Sequence, residues 1–184
     1  SGTVSELMGT SSGIHPRHSE YYIRNVSGDI KDPLTHFLIN QGVQHQEKQG
    51  SSNIILFSFP IKSPKTSILR RDLTAIQHLE LWYAYYKYWC EHKPSVTINV
   101  RDHEWLDVGA WCYEHFDDLS GVALLPYSDH HYPQTPFEEC NKQTYENLVE
   151  QTPEIDWTQF HEDDDNTTSA QELACTSATG CSII

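Results

Sequence analysis

The chain has 184 residues, enough for one ordinary domain or for a piece of a larger one. Acidic residues outnumber basic ones 26 to 12, and the formal charge of −14 repels nucleic-acid backbones and anionic membranes alike. Five cysteines, an odd count, argue for a reducing and therefore cytoplasmic setting, and no apolar run approaches the ~20 residues of a membrane span.

The opening SGTVSELMGTSSGIHP is rich in Gly, Ser and Thr. It predicts a loop, a short helix from about Val4 to Met8, and a second loop closed by Pro16. Ser19–Val26 is aromatic and β-branched and predicts a strand. Asp32-Pro33 starts a helix through Leu34, Phe37, Leu38 and Ile39 that Gly42 ends. Residues 43–52 are polar and loop-like. The apolar run from Asn53 to Phe59 predicts a buried strand stopped by Pro60.

Asp72 then caps a long predicted helix reaching His92. Ile76, Leu79, Tyr83, Tyr86 and Cys90 recur on it at three- and four-residue steps, and Trp82 and Trp89 widen that stripe. Ser95–Val100 predicts a strand, and His103–Phe116 an amphipathic helix built on Trp105, Val108, Trp111 and Cys112. Gly121–Leu125 predicts a short strand ended by Pro126. Strand, crossover helix, strand is the pattern of a parallel pair. A helix is expected from about Phe137 to Glu150, and from about Gln159 the composition is acidic, polar and small.

Two constellations carry chemistry. In the opening loop, Gly2 permits close backbone approach, Thr3 and Ser5 offer hydroxyls, and N–H groups at a helix start suit an anion such as phosphate. A simple capped turn explains the same residues, and both readings stay open here. In the closing ELACTSATGCSII, Cys175 and Cys181 are two thiols among small residues, suited to an internal disulfide and to exchange with a distant partner. The alternative is a pair of exposed cysteines without a role. A zinc site would want further ligands, which this segment does not supply at standard spacing.

Other residues read as structure. Cys90 and Cys112 fall on apolar helix faces, and Cys140 sits near a helix start with no base evident beside it. His130 and His131 lack metal-ligand spacing, and the acidic run Glu162–Asp165 is a solubilising one. Asn166-Thr167-Thr168 matches a glycosylation acceptor in a chain with no sign of secretion.

The stretch SGTVSELMGTSSGIHPRHSEYYIR resembles the C-terminal part of adenosylcobalamin-dependent (class II) ribonucleotide reductases, of the monomeric ribonucleoside-triphosphate reductase type. WCEHKPSVTINV, EWLDVGAWCYEHFDDLSGVALLPYSDHHYPQTPFEE and the closing QELAC and GC are similar to the same family in the same order. The resemblance implies an α/β fold, the C-terminal portion of a ten-stranded α/β barrel. Residues 1–158 would be barrel, and 159–184 a flexible acidic tail with a redox cysteine pair.

It also implies a reaction. The 2′-hydroxyl of a ribonucleotide is replaced by hydrogen, started by a thiyl radical that adenosylcobalamin generates. Gly2, Thr3, Val4 and Ser5 would contact the substrate phosphates. Cys175 and Cys181 would be the shuttle pair that a thioredoxin or similar dithiol donor recharges. The radical cysteine, its acidic and amide neighbours and the buried thiol pair lie in a part of the family that these residues do not match. Cys90, Cys112 and Cys140 therefore inherit no such role, and cobalamin contacts fall on no particular residue.

Ser1 in place of Met, directly before a structured motif, predicts a piece of a longer enzyme. An intein-derived segment, a split gene and a truncated one all fit that expectation. Two further readings use single motifs: a thioredoxin-partner redox module built on the cysteine tail, or a non-catalytic phosphate-binding domain built on the opening loop.

Overall fold

A computed structural model of the chain describes residues 4–5, 8–127 and 134–161. In chain order the elements are β1 (Tyr21–Asp29), α1 (Pro33–Asn40), β2 (His45–Glu47), β3 (Ile54–Lys62), α2 (Ala75–Tyr88), β4 (Val96–Val100), α3 (Trp105–Glu114), β5 (Val122–Pro126), β6 (Phe137–Glu139) and α4 (Lys142–Gln151). These elements form two compact units. One joins Ser1–Glu20 to Ser63–His131, and the other joins Tyr21–Lys62 to Tyr132–Ile184.

In the first unit β4 and β5 pair in parallel, Val96 opposite Val122 through Val100 opposite Pro126, with α3 as the crossover. Alternation along VTINV buries Val96, Ile98 and Val100 on one face. They pack with Ala75, Leu79 and Trp82 of α2 and with Val108 and Trp111 of α3. Each buried valine, leucine or isoleucine among them stabilises by about 1.5–3 kcal/mol relative to exposure. The Trp82 indole N–H is spared an unpaired burial by donating to the Pro94 carbonyl at 2.5 Å.

The predicted α2 needs two corrections. Thr74, not Asp72, is its cap: the Thr74 hydroxyl accepts from Gln77 N–H at 3.1 Å, and the Gln77 side chain accepts from Thr74 N–H at 2.9 Å. Asp72 instead closes a single 3₁₀ turn by accepting from Leu69 N–H. The helix also stops at Tyr88, so Cys90 lies beyond its end and Trp89 is exposed rather than part of the stripe. On α3, Trp105 is likewise partly exposed at 37%.

The second unit is a four-stranded sheet in the order β2-β3-β1-β6, antiparallel at every pairing. Its core gathers Leu38, Val43, Ile55 and Phe57, with Phe37 and Ile39 of α1 alongside. Asp32 caps α1 by accepting from Leu34 N–H at 2.9 Å, as its sequence indicates, with Pro33 as the first helical residue.

Three expectations change here. Residues 43–52 contain the short strand β2. Pro60 does not stop β3, which runs on to Lys62 with Pro60 opposite Ile23. Ser58 N–H points to the β2 side, where it donates to Gln44 O. Pro60, two residues on, lacks its N–H on that same side, past the last β2 pairing at Phe57. Finally, Phe137–Glu139 is the edge strand β6 rather than helix, and α4 starts after Asn141, whose side chain accepts from Thr144 N–H at 2.8 Å.

Candidate functional site

Of the four phosphate-loop candidates, Val4 and Ser5 are described, whereas Gly2 and Thr3 lie outside the described residues. Val4 is exposed and Ser5 buried. Val4 and Ser5 are helical, Met8 N–H donates to Val4 O at 3.0 Å, and Thr10 N–H donates to Ser5 O at 2.8 Å. Gly9 has a φ of 63°, a left-handed conformation that glycine adopts without steric cost, and it lets the chain reverse there.

Sequence reasoning missed what holds the segment just after this turn in place. Thr97 N–H of β4 donates to His15 Nε2 at 3.0 Å, which fixes the tautomer. His15 Nδ1 then carries the proton and donates to Ser12 O at 2.7 Å. His78 of α2 donates through Nε2 to Ile14 O at 3.0 Å, and the two imidazoles meet edge to face at 6.3 Å. Burial holds His78 below the usual histidine range, with neighbouring His15 acting in the same direction. The available signal was a histidine between Ala75 and Trp82 on the apolar face of α2, where a polar ring needs a designated partner.

Arg17 adds a second tether. Its guanidinium donates to Gly9 O, its N–H donates to Ile68 O at 2.9 Å, and its carbonyl accepts from Arg70 N–H at 2.8 Å. Beyond β4, buried Glu104 accepts from Arg101 N–H at 2.8 Å and from Ala75 N–H at 3.2 Å. Burial alone would raise the Glu104 carboxyl, but these N–H donors and the Arg101 charge outweigh it and hold it low.

Cys175 and Cys181 lie outside the described residues. Burial pushes the Cys112 thiol up, and burial with the Glu139 charge does the same to Cys140. A raised thiol is a poor nucleophile at neutral pH, so the position of Cys140 before α4 does not activate it. Among the described residues no group of three or more His, Cys, Asp or Glu side chains converges as a metal site. No described helix is long and apolar enough to cross a membrane.

No protein-family model matches the chain. Individual proteins do. The chain is 25% identical over 150 residues to the adenosylcobalamin-dependent ribonucleoside-triphosphate reductase of Levilactobacillus brevis, covering 79% of this chain and 20% of that one. It is 28% identical over 163 residues to a probable enzyme of the same description in Dictyostelium discoideum, covering 85% and 21%. The crystal structure of a B12-dependent (class II) ribonucleotide reductase superposes with a TM-score of 0.68 at 25% identity, over 83% of this chain and 22% of that one. The chain is a relative of the adenosylcobalamin-dependent, class II ribonucleotide reductases. Its fold matches part of that reductase, in agreement with the α/β barrel portion expected from the sequence. It spans about a fifth of the length of these reductases.

Proposed function

We propose that this chain supplies the substrate-phosphate seat and the thiol-recharging end of a radical ribonucleotide reductase. The reductase would convert ribonucleoside triphosphates to deoxyribonucleotides. The observation that carries the reading is continuous similarity to such enzymes over about four-fifths of the chain. The tethered opening turn is consistent with it, because a phosphate loop must be held rigidly to discriminate its ligand.

The residues divide the work. Gly2 admits the phosphates to the backbone, and Thr3 and Ser5 offer hydroxyl donors. With Val4 they present N–H groups to the anion. His15, His78 and Arg17 position this turn without touching substrate. Cys175 and Cys181 give up two electrons and two protons to a buried disulfide, which becomes two thiols while they become one disulfide. A thioredoxin or similar dithiol donor reverses that oxidation.

Adenosylcobalamin, when bound, would supply the radical that starts the reaction. One concavity, about 530 Å³ and lined by Gly42, Val43, Gln44, His45, Gln46 and Ser58, is the size of a pocket for an ordinary small ligand. A corrin with its nucleotide arm and adenosyl group is much larger. That concavity does not fit the group.

The test is substitution in the complete enzyme. Thr3→Ala or Ser5→Ala should weaken nucleotide binding by about 1–3 kcal/mol, the usual cost of losing one hydrogen bond to a charged group. Radical generation should persist. Unchanged nucleotide affinity in both variants would refute the assignment of the loop.

A further inference from the structure

Helix α3 is apolar on two sides. Val108 and Trp111 pack into the core with β4 and α2. On the other side Leu106 is 88% exposed and Tyr113 84%, with Gly109 and Ala110 exposed between them. Steps of three and four residues put these four on one stripe. Phe116, 73% exposed in the 3₁₀ turn that follows, extends it. A surface helix ordinarily carries polar residues on its outward side, and one that is apolar all round is covered on both.

Gly109 has no reason within this fold to be glycine. It lies inside α3, and a methyl group added there would meet nothing within 4 Å. Glycine in a helix interior is destabilising relative to alanine, so neither the helix nor its packing favours it. Between Leu106 and Tyr113 it leaves a notch where another backbone can approach closely.

The charge around the stripe narrows the choice of what covers it. From Asp102 to Asp118 the sequence has six carboxylates and no Lys or Arg. Asp107 and Glu114 are exposed seven residues apart on the same flank of the helix, and exposed Asp117 follows them. A second copy would bring these carboxylates together in a chain whose formal charge is already −14. The acidic run Glu162–Asp165 of the chain's own closing segment is repelled for the same reason. In an α/β barrel the helices form the outer ring, so completing the barrel adds elements beside α3 and leaves its outward side open.

We propose that the outward face of α3 is a docking surface for a separate protein, which lays against it an amphipathic helix with Lys or Arg along its edges. Apolar side chains of that helix at three- and four-residue steps match the stripe of Leu106, Tyr113 and Phe116. Its closest approach falls at Gly109, and its cations meet Asp107, Glu114 and Asp117.

The test uses the 184-residue chain and two labelled synthetic helical peptides with the same leucine stripe, one flanked by lysines and the other by glutamates. Fluorescence anisotropy should show the lysine peptide binding roughly tenfold or more tightly than the glutamate peptide, with the difference shrinking as salt is raised. Leu106→Ser and Tyr113→Ala should each weaken the lysine peptide roughly tenfold. Gly109→Leu separates docking from folding. Its side chain enters open space and favours helix, so the urea midpoint should stay at or above that of wild type while binding weakens by a similar factor. Val149→Ser, at an exposed apolar residue of α4, should leave binding unchanged.

Equal binding of the two peptides would overturn the proposal, as would binding that survives both Gly109→Leu and Tyr113→Ala. Sedimentation of the chain as a dimer that Tyr113→Ala dissociates would overturn it in favour of a second copy. Hydroxyl-radical footprinting of the complete reductase alone that finds Leu106, Tyr113 and Phe116 already protected would overturn it in favour of packing within the enzyme.

Discussion

At the scale of single residues, two buried titratable groups tie stability to pH. His78 is held neutral by burial, so the folded chain binds its proton less readily than the unfolded chain does. Its contribution is present above the unfolded value of about 6.5 and is lost as pH falls below it. Charging His78 breaks no hydrogen bond, because Nε2 already donates to Ile14; the cost is a buried cation beside His15. The urea midpoint should therefore fall from about pH 7 to about pH 5 more steeply for wild type than for His78→Gln, and parallel curves would remove His78 from the account. Glu104 is also held low, in its charged form, so its stabilisation is present above the normal carboxylate range and is lost as pH falls through its folded value. Glu104→Ala leaves Arg101 and Ala75 N–H groups without their acceptor, at about 1–3 kcal/mol for each. A chemical denaturation midpoint equal to wild type would contradict this. His78 left a signal as a polar ring on an apolar helix face, whereas Glu104 left none. The spacing of Glu104 from Arg101 is local, but its bond to Ala75 crosses 29 residues, and no periodicity reports such a contact.

At the scale of elements, patterns survived where local forces decide and shifted where a neighbour decides. The caps of α1 and the alternation along β4 were readable because each is settled within a few residues. β1 was expected over Ser19–Val26; the strand instead starts at Tyr21 and runs through Gly28 to Asp29. The reason is long-range. Gly28 lies against Thr35 of α1 and Phe57 of β3, and a methyl group there would collide with the Thr35 hydroxyl and sit 3.2 Å from the Phe57 ring. Glycine is therefore a packing requirement in this strand rather than a break. Gly28→Ala should destabilise by about 1–3 kcal/mol, the usual range for overpacking. Loss of the fluorescence-detected urea midpoint without a change in slope would confirm it, and an unchanged midpoint would show that α1 yields freely. β6 was misread for a related reason: three residues paired with Tyr22, Ile23 and Arg24 become a strand only because β1 offers them an edge.

At the scale of the whole molecule, the parallel β4-α3-β5 unit was legible from its order of elements, while the antiparallel sheet was not. Its central pairing joins β1 to β3 across the intervening α1 and β2, and its edge strand β6 arrives more than a hundred residues after β1. The candidate site divides in the same way. The opening turn was visible as a motif, but its tethers through His78, Thr97 and Arg70 come from distant segments. The cysteine pair is legible only as sequence, and its prediction rests on redox arithmetic. On the proposed reading, each turnover would consume two electrons and leave a disulfide at the reacting centre. A protein donor is too bulky to enter a barrel interior, whereas two thiols on a chain terminus can carry the electrons in. In the complete enzyme, Cys175→Ser or Cys181→Ser should therefore leave the first turnover intact, because the buried thiols begin reduced. Multiple turnover with a thioredoxin-type donor should stop, because a single remaining thiol can form a mixed disulfide but cannot resolve it. A small dithiol that diffuses to the centre should restore much of the rate. Rapid-quench counting of product per enzyme separates these cases: one equivalent with the protein donor and many with the small dithiol is the expected result. Full multiple turnover with the protein donor in the double serine variant would show that the electrons travel by another route.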